Sequence, residues 1–140
     1  MMIYILIGGL LVFIYLALVI WAMVKRRKGK FTGKDQQYIH SHWYRILDSF
    51  RHDPRHAIMD ADKLLDYCLR KRGGGRFDKM SLGEKLKKSE GYFSDINGVW
   101  SAHKVRNRIA HELNLKLSEQ DAKRAISQFK KALKDLGAEL

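Results

Sequence analysis

The chain has 140 residues, 46% of them apolar, with 27 Lys and Arg against 15 Asp and Glu and a single cysteine. That length leaves room for one compact domain, the apolar share excludes a disordered chain, and one thiol excludes a disulfide framework or a cysteine-based zinc site. A formal net charge of +12 points to anionic partners, with nucleic acid and anionic lipid both eligible.

Residues 3–24, IYILIGGLLVFIYLALVIWAMV, run without a charge. At about 1.5 Å per residue such a helix crosses a hydrocarbon core of roughly 30 Å, so the stretch reads as a transmembrane anchor. A cleaved signal would need a basic start, a shorter apolar run and a small-residue cleavage site, which are missing here. Lys25, Arg26, Arg27, Lys28 and Lys30 follow, and by the positive-inside rule they place the downstream chain in the cytoplasm with the N-terminus outside. The same cluster suits anionic lipid headgroups. The expected organisation is an anchor over 1–24, a basic juxtamembrane linker over 25–34 and a helical domain over 35–140.

Four segments after the anchor carry apolar residues at helical spacing, and none alternates as a strand would. In 34–51 the stripe is Ile39, Trp43, Ile46, Leu47 and Phe50. Asp53 as N-cap and Pro54 as first helical residue open a second helix with Ala57, Ile58, Ala61, Leu64, Leu65, Cys68 and Leu69 inward, closed by Gly73. GGGRFD, 73–78, reads as a flexible connector and matches no phosphate-loop or dinucleotide fingerprint. SLGE at 81–84 has capping-box spacing and starts a short helix ending near Gly91. Ser94 signals the next start, with a helix to about Leu113, and Ser118 with Asp121 opens the last, which turns Ala122, Ala125, Ile126, Phe129, Leu133 and Leu136 inward. The fold class expected is all-α, an antiparallel four-helix bundle preceded by one transmembrane helix.

The third long helix holds VWSAHKVRNRIAHE, 99–112. At 100° per residue Val105 and Ile109, with Ala102, form one ridge. His103, Asn107 and His111 form another about 200° away. With the first ridge in the core the second faces outward, Arg106 reaches round between them, and Trp100 adds an apolar patch to the polar side. Arg108 and Glu112 are spaced as an ordinary i, i+4 surface pair.

AIMDADKLLDYCL, MSLGEKL and above all VWSAHKVRNRIAHE resemble the HEPN family of small all-α domains, many of which are ribonucleases, over about residues 37–136. Arg106 and His111 fit the family's R-x4-6-H motif, with Asn107 as the polar residue in second place. The resemblance implies a homodimer that pairs the motif-bearing helices, an RNA substrate and no metal or other cofactor. Arg106 would bind the scissile phosphate, His111 would be general acid or base, and Asn107 would orient substrate or imidazole. His103 and Glu112 are weaker candidates for the same cleft, either supporting it from behind or lying on the surface. Imidazole and guanidinium suit this chemistry, because one exchanges protons near neutral pH and the other stabilises a phosphorane. In the family's toxin branch, whose members pair with a nucleotidyltransferase, a tyrosine stands two places after the histidine; here that place holds Leu113.

The other constellations are weaker. His40 and His42 point about 160° apart on a helix and cannot easily share an ion, and His52 and His56 flank a helix start. Asp60, Asp62 and Asp66 read most simply as the solvated side of the second helix, although Asp62 and Asp66, at i and i+4, could pair with basic residues across a dimer. The alternative to a metal-independent endoribonuclease is a non-catalytic, membrane-tethered module that dimerises and binds RNA or lipid.

Overall fold

Thr32 and Asp35 decide where the helical domain begins. In the computed structural model, which describes residues 1–27 and 31–140 and the side chains of all of these except Ile5 and 23–27, Thr32 Oγ1 accepts from the Asp35 amide and the Asp35 carboxylate accepts from the Thr32 amide. This reciprocal box satisfies donors that a helix start leaves open. Donation from the Thr32 hydroxyl and then its amide pulls the Asp35 carboxyl down to about 2.

Among the described residues six α-helices follow one another: α1 (Met2–Arg27), α2 (Gly33–Phe50), α3 (Pro54–Gly73), α4 (Leu82–Lys88), α5 (Ile96–His111) and α6 (Glu119–Asp135). No strand occurs among the described residues. Over Met2–Ala22, α1 has a mean hydropathy of 2.8 and none of its described side chains is buried, and it is long and apolar enough to cross a membrane. The side chains of Lys25, Arg26 and Arg27, and all of Lys28 and Lys30, lie outside the described residues.

Start signals hold where a side-chain oxygen is in reach of the third helical amide. Asp53, Ser81 and Ser118 cap α3, α4 and α6. Ser94 does not cap α5; Asp95 does, through Gly98 N at 2.9 Å, and Ser94 instead donates from N and Oγ to Asp135 Oδ2, tying the start of α5 to the end of α6. Likewise α4 stops at Lys88 rather than Gly91, and a 3₁₀ turn over Glu90–Tyr92 takes up the remainder.

The core gathers around α3, which packs against α2, α5 and α6, while α5 packs against α6. Ile39 and Trp43 from α2, Leu65 and Leu69 from α3, Val99 from α5 and Phe129 from α6 are all buried. Each large apolar side chain so buried contributes about 1.5–3 kcal/mol. Cys68 lies among them, and burial pushes its thiol up to about 12. Leu47, expected in the stripe, is exposed, and Phe50 is half-buried, because α3 covers only the Ile39, Trp43 and Ile46 side of α2.

GGGRFD is a built turn rather than a loose connector. Gly74 takes φ 57°, a 3₁₀ turn covers Gly74–Phe77, and the buried Phe77 ring lies so close to Gly73 that a Cβ there would meet it at 2.2 Å. At the other end Gly137, at φ 100°, turns the chain out of α6. Gln36 then holds the C-terminal residues with both ends of its amide, donating to Gly137 O and accepting from Glu139 N.

Candidate functional site

α5 lies against two neighbours, and this sets the direction of every side chain in the motif. Ala102 and Val105 border α6, and Ile109 packs against the core, as their spacing predicts. Val99, His103 and Arg106, at i, i+4 and i+7, form a second inward line that meets α3. The expectation that His103 faces outward is therefore corrected: it is 9% exposed, because α3 covers its ridge.

The group that receives this line is Asp62, only 4% exposed, which overturns its reading as a solvated carboxylate. His103 Nδ1 lies 2.8 Å from Asp62 Oδ1, and Arg106 Nε lies 3.2 Å from Oδ2. The second contact is an ion pair without hydrogen-bond alignment, so Nε has charge compensation but no directed acceptor. Arg106 Nη1 donates to Asn107 Oδ1 at 3.0 Å, and Asn107 Nδ2 approaches His103 Nε2 at 3.3 Å. One assignment satisfies the ring: His103 carries its proton on Nδ1 and gives it to Asp62, while Nε2 accepts from the Asn107 amide. Asp62, His103, Asn107 and Arg106 thus hold one another in a closed circuit, which fixes the guanidinium from behind.

This circuit borders a cleft of about 1080 Å³ between α3, the start of α4 and α5. Trp100, His103, Lys104, Arg106 and Asn107 line its α5 wall. Trp100 is half-buried against Gly83, where a Cβ would meet its ring at 3.5 Å, and it stands edge-on to His103, so it is a wall of the cleft rather than an outward patch. Across the cleft Arg70 and Lys85 share Asp66, at 3.2 and 2.5 Å, with Lys85 buried. Lys104 has no carboxylate partner among the described residues and leaves a free positive charge on the wall.

His111 ends α5, is exposed and makes no hydrogen bond or ion pair among the described residues. It continues the Trp100, Lys104, Asn107 stripe one turn further, about 6 Å along the axis, and stands outside the cleft. Arg106 and Asn107 are thus brought together, and His111 is not joined to them within one chain. Glu112 caps the C-terminus of α5 and pairs with Arg108 at 3.0 Å on the exposed face.

Asp62 is the residue that the sequence reading missed. The signal was present, since Ile58, Asp62, Leu65 and Leu69 follow i, i+4, i+7, i+11, which puts a carboxylate inside a buried stripe. Among the described residues no group of three or more His, Cys, Asp and Glu is arranged to hold a metal ion. His40 is exposed, His42 bonds the Tyr38 carbonyl and packs on Arg45, His52 is exposed, and His56 pairs with Asp60 at 3.1 Å. Compared with protein-family models, with curated proteins and with solved structures, the chain finds no match.

Proposed function

We propose that residues 35–140 form an antiparallel four-helix bundle of the HEPN type and act as a metal-independent endoribonuclease. In this reading α1 spans the membrane with the N-terminus outside and holds the domain at its cytoplasmic face, where the cluster at 25–30 meets anionic lipid. The observation that carries it is the Asp62-centred circuit, which fixes Arg106 and Asn107 on the rim of a cleft where Lys104 has no carboxylate partner among the described residues, with His111 one turn beyond Asn107.

The chemistry follows from these groups. One imidazole removes the proton from a ribose 2′-hydroxyl, the 2′-oxygen attacks phosphorus, and the phosphorus–5′-oxygen bond breaks as a second imidazole protonates the leaving oxygen. The products are a 2′,3′-cyclic phosphate and a free 5′-hydroxyl. Arg106 neutralises the additional charge of the phosphorane. One chain offers one exposed His111, so a two-fold dimer that apposes the ends of α5 supplies the second imidazole.

The test is cleavage of single-stranded RNA by the full chain in detergent with EDTA present, beside Arg106→Ala and His111→Ala. Loss in both variants, with cyclic-phosphate ends from the wild type, supports the reading; equal activity in all three ends it. The other reading, a non-catalytic tethered module that dimerises and binds RNA or lipid, is favoured by one observation. Arg106 is turned onto Asp62 and Asn107 while His111 stands outside the cleft. RNA retention without cleavage by the wild type would select it. Protease protection of a C-terminal tag in sealed inverted vesicles tests the topology, since a cytoplasmic domain is cut there.

A further inference from the structure

Contacts between elements define two ends of the helical domain. At one, Gln36 near the start of α2 bonds Gly137 and Glu139 beyond α6, Lys71 near the end of α3 pairs with Asp35 at 3.2 Å, and Ser94 before α5 donates to Asp135. At the other, Arg55 at the start of α3 donates to Leu115 O between α5 and α6, close to the end of α5 that carries His111. The chain enters at the first end. Phe31 already packs on the core, and only residues 28–30 separate it from Arg27, so the end of α1 lies within about 14 Å of it.

Charge distinguishes the two ends. Residues 70–90, which run from the end of α3 through α4, hold eight Lys and Arg against three Asp and Glu. At the far end residues 48–56 hold two against two, and residues 108–124 four against three. The surplus reaches the surface. Arg76, Lys79, Lys87 and Lys88 are exposed, and none pairs with a carboxylate among the described residues. Of the three acids, Glu84 is turned back onto the Ser81 amide and hydroxyl, and Asp78 lines the cleft beside α5, which leaves Glu90. Arg76 and Lys88 flank a hollow of about 490 Å³ whose other walls are Phe77 and Met80, so two cations stand beside an apolar floor. That combination suits a phospholipid, with its phosphate on the cations and its glycerol carbons on Met80. A surface held this near a bilayer meets anionic headgroups first, and the negative potential of the same leaflet repels an RNA strand.

We propose that the surface formed by Arg76, Lys79, Lys87 and Lys88 rests on anionic phospholipid headgroups of the membrane that α1 crosses, so that the domain stands on its tethered end. The inference rests on the anchor reading of α1, and it extends lipid contact from the cluster at 25–30 to the folded domain. The end of α5, with His111, then faces away from the bilayer, about 24 Å further out by the length of the helix.

The experiment places a fluorophore at either end of the full chain in nanodiscs that carry a spin-labelled quencher on the lipid headgroups. Cys68 is buried, so single thiols can be labelled through Gly91→Cys, where an added Cβ meets nothing within 4 Å, and through Leu113→Cys, 96% exposed at the far end. Quenching should be strong at position 91 when phosphatidylserine is present, weak there in phosphatidylcholine alone, and weak at position 113 in both. Arg76→Gln and Lys88→Gln should each lower the ratio of docked to undocked chains about fivefold. Lys116→Gln, which removes an exposed charge at the far end, should leave it unchanged. Circular dichroism of each variant confirms the helical content. Quenching at position 91 that ignores phosphatidylserine or both glutamine variants overturns the proposal, and RNA binding lost through those variants would then assign the surface to nucleic acid. Equal quenching at position 113 overturns it as well. Alkaline carbonate separates the two readings: a chain that it releases ends the anchor and the inference with it, whereas a chain retained in the bilayer with position 91 unquenched ends the inference alone.

Discussion

Replacing Asp62 by alanine should destabilise the domain although the residue is a charged side chain of the kind usually found at a surface. Its carboxylate serves two partners, His103 at 2.8 Å and Arg106 at 3.2 Å. Removing one partner of a fully buried ion pair costs about 3–5 kcal/mol, because the other charge is left uncompensated. Here the Arg106 side chain is 28% exposed and its Nε contact lacks hydrogen-bond alignment, so solvent recovers part of that cost. The His103 contact is nearly closed to water, and a lost hydrogen bond to a charged group is about 1.5–3 kcal/mol. The expected loss for Asp62→Ala is therefore about 2–3 kcal/mol, with most of it on the His103 side. Urea unfolding of the full chain, followed by the fluorescence of Trp43 and Trp100, gives the value. A double-mutant cycle should then show stronger coupling of Asp62 to His103 than to Arg106. A loss below about 0.5 kcal/mol, the range of an ordinary surface substitution, would refute the circuit.

Other consequences are equally direct. Asp35 has its carboxyl lowered from 3.8 to about 2, so its contribution is complete above pH 4 and lost as pH falls through 2; Asp35→Asn should flatten the pH dependence of unfolding in that window. The Cys68 thiol, pushed up to about 12 by burial, should resist iodoacetamide at pH 8 in the folded chain and react once urea unfolds it. Gly73→Ala should cost about 1–3 kcal/mol in the same unfolding assay, since the added methyl meets the buried Phe77 ring. Gly98→Ala should cost about 0.5–2 kcal/mol, because the methyl there displaces the Asp95 carboxylate that caps α5 as well as the end of Gln128.

Apolar spacing located α2, α3, α5 and α6 to within a few residues because each buries a stripe, and start signals were readable where a serine or aspartate reaches an amide three positions on. The errors have a common physical origin. Ser94 and Asp95 are adjacent and both can cap; only the presence of Asp135, far away in sequence, decides between them. Nothing in the apolar pattern marks Thr32 as a cap, because the stripe starts only about two turns later, at Ile39. Tertiary contact also explains GGGRFD, where glycine reads as flexibility and instead provides room for Phe77.

The candidate site was harder to read because α5 has two partners. A helix that packs on one neighbour divides into an inward and an outward half, and the apolar residues identify the inward half. A helix wedged between α3 and α6 has a second inward line, and on α5 that line is Val99, His103 and Arg106. It looks polar in sequence because its partner on α3 is polar as well, so neither member marks itself as buried. A charged residue in phase with buried leucines, as Asp62 is with Leu65 and Leu69, is the sign that such a line exists, and it calls for a polar partner on a neighbouring helix. Here the partner is the first half of the R-x4-H spacing together with the histidine before it. The two halves of that motif therefore differ in physical character: Arg106 is held in place from within its own chain, while His111 is exposed at the end of α5 and makes no hydrogen bond or ion pair among the described residues.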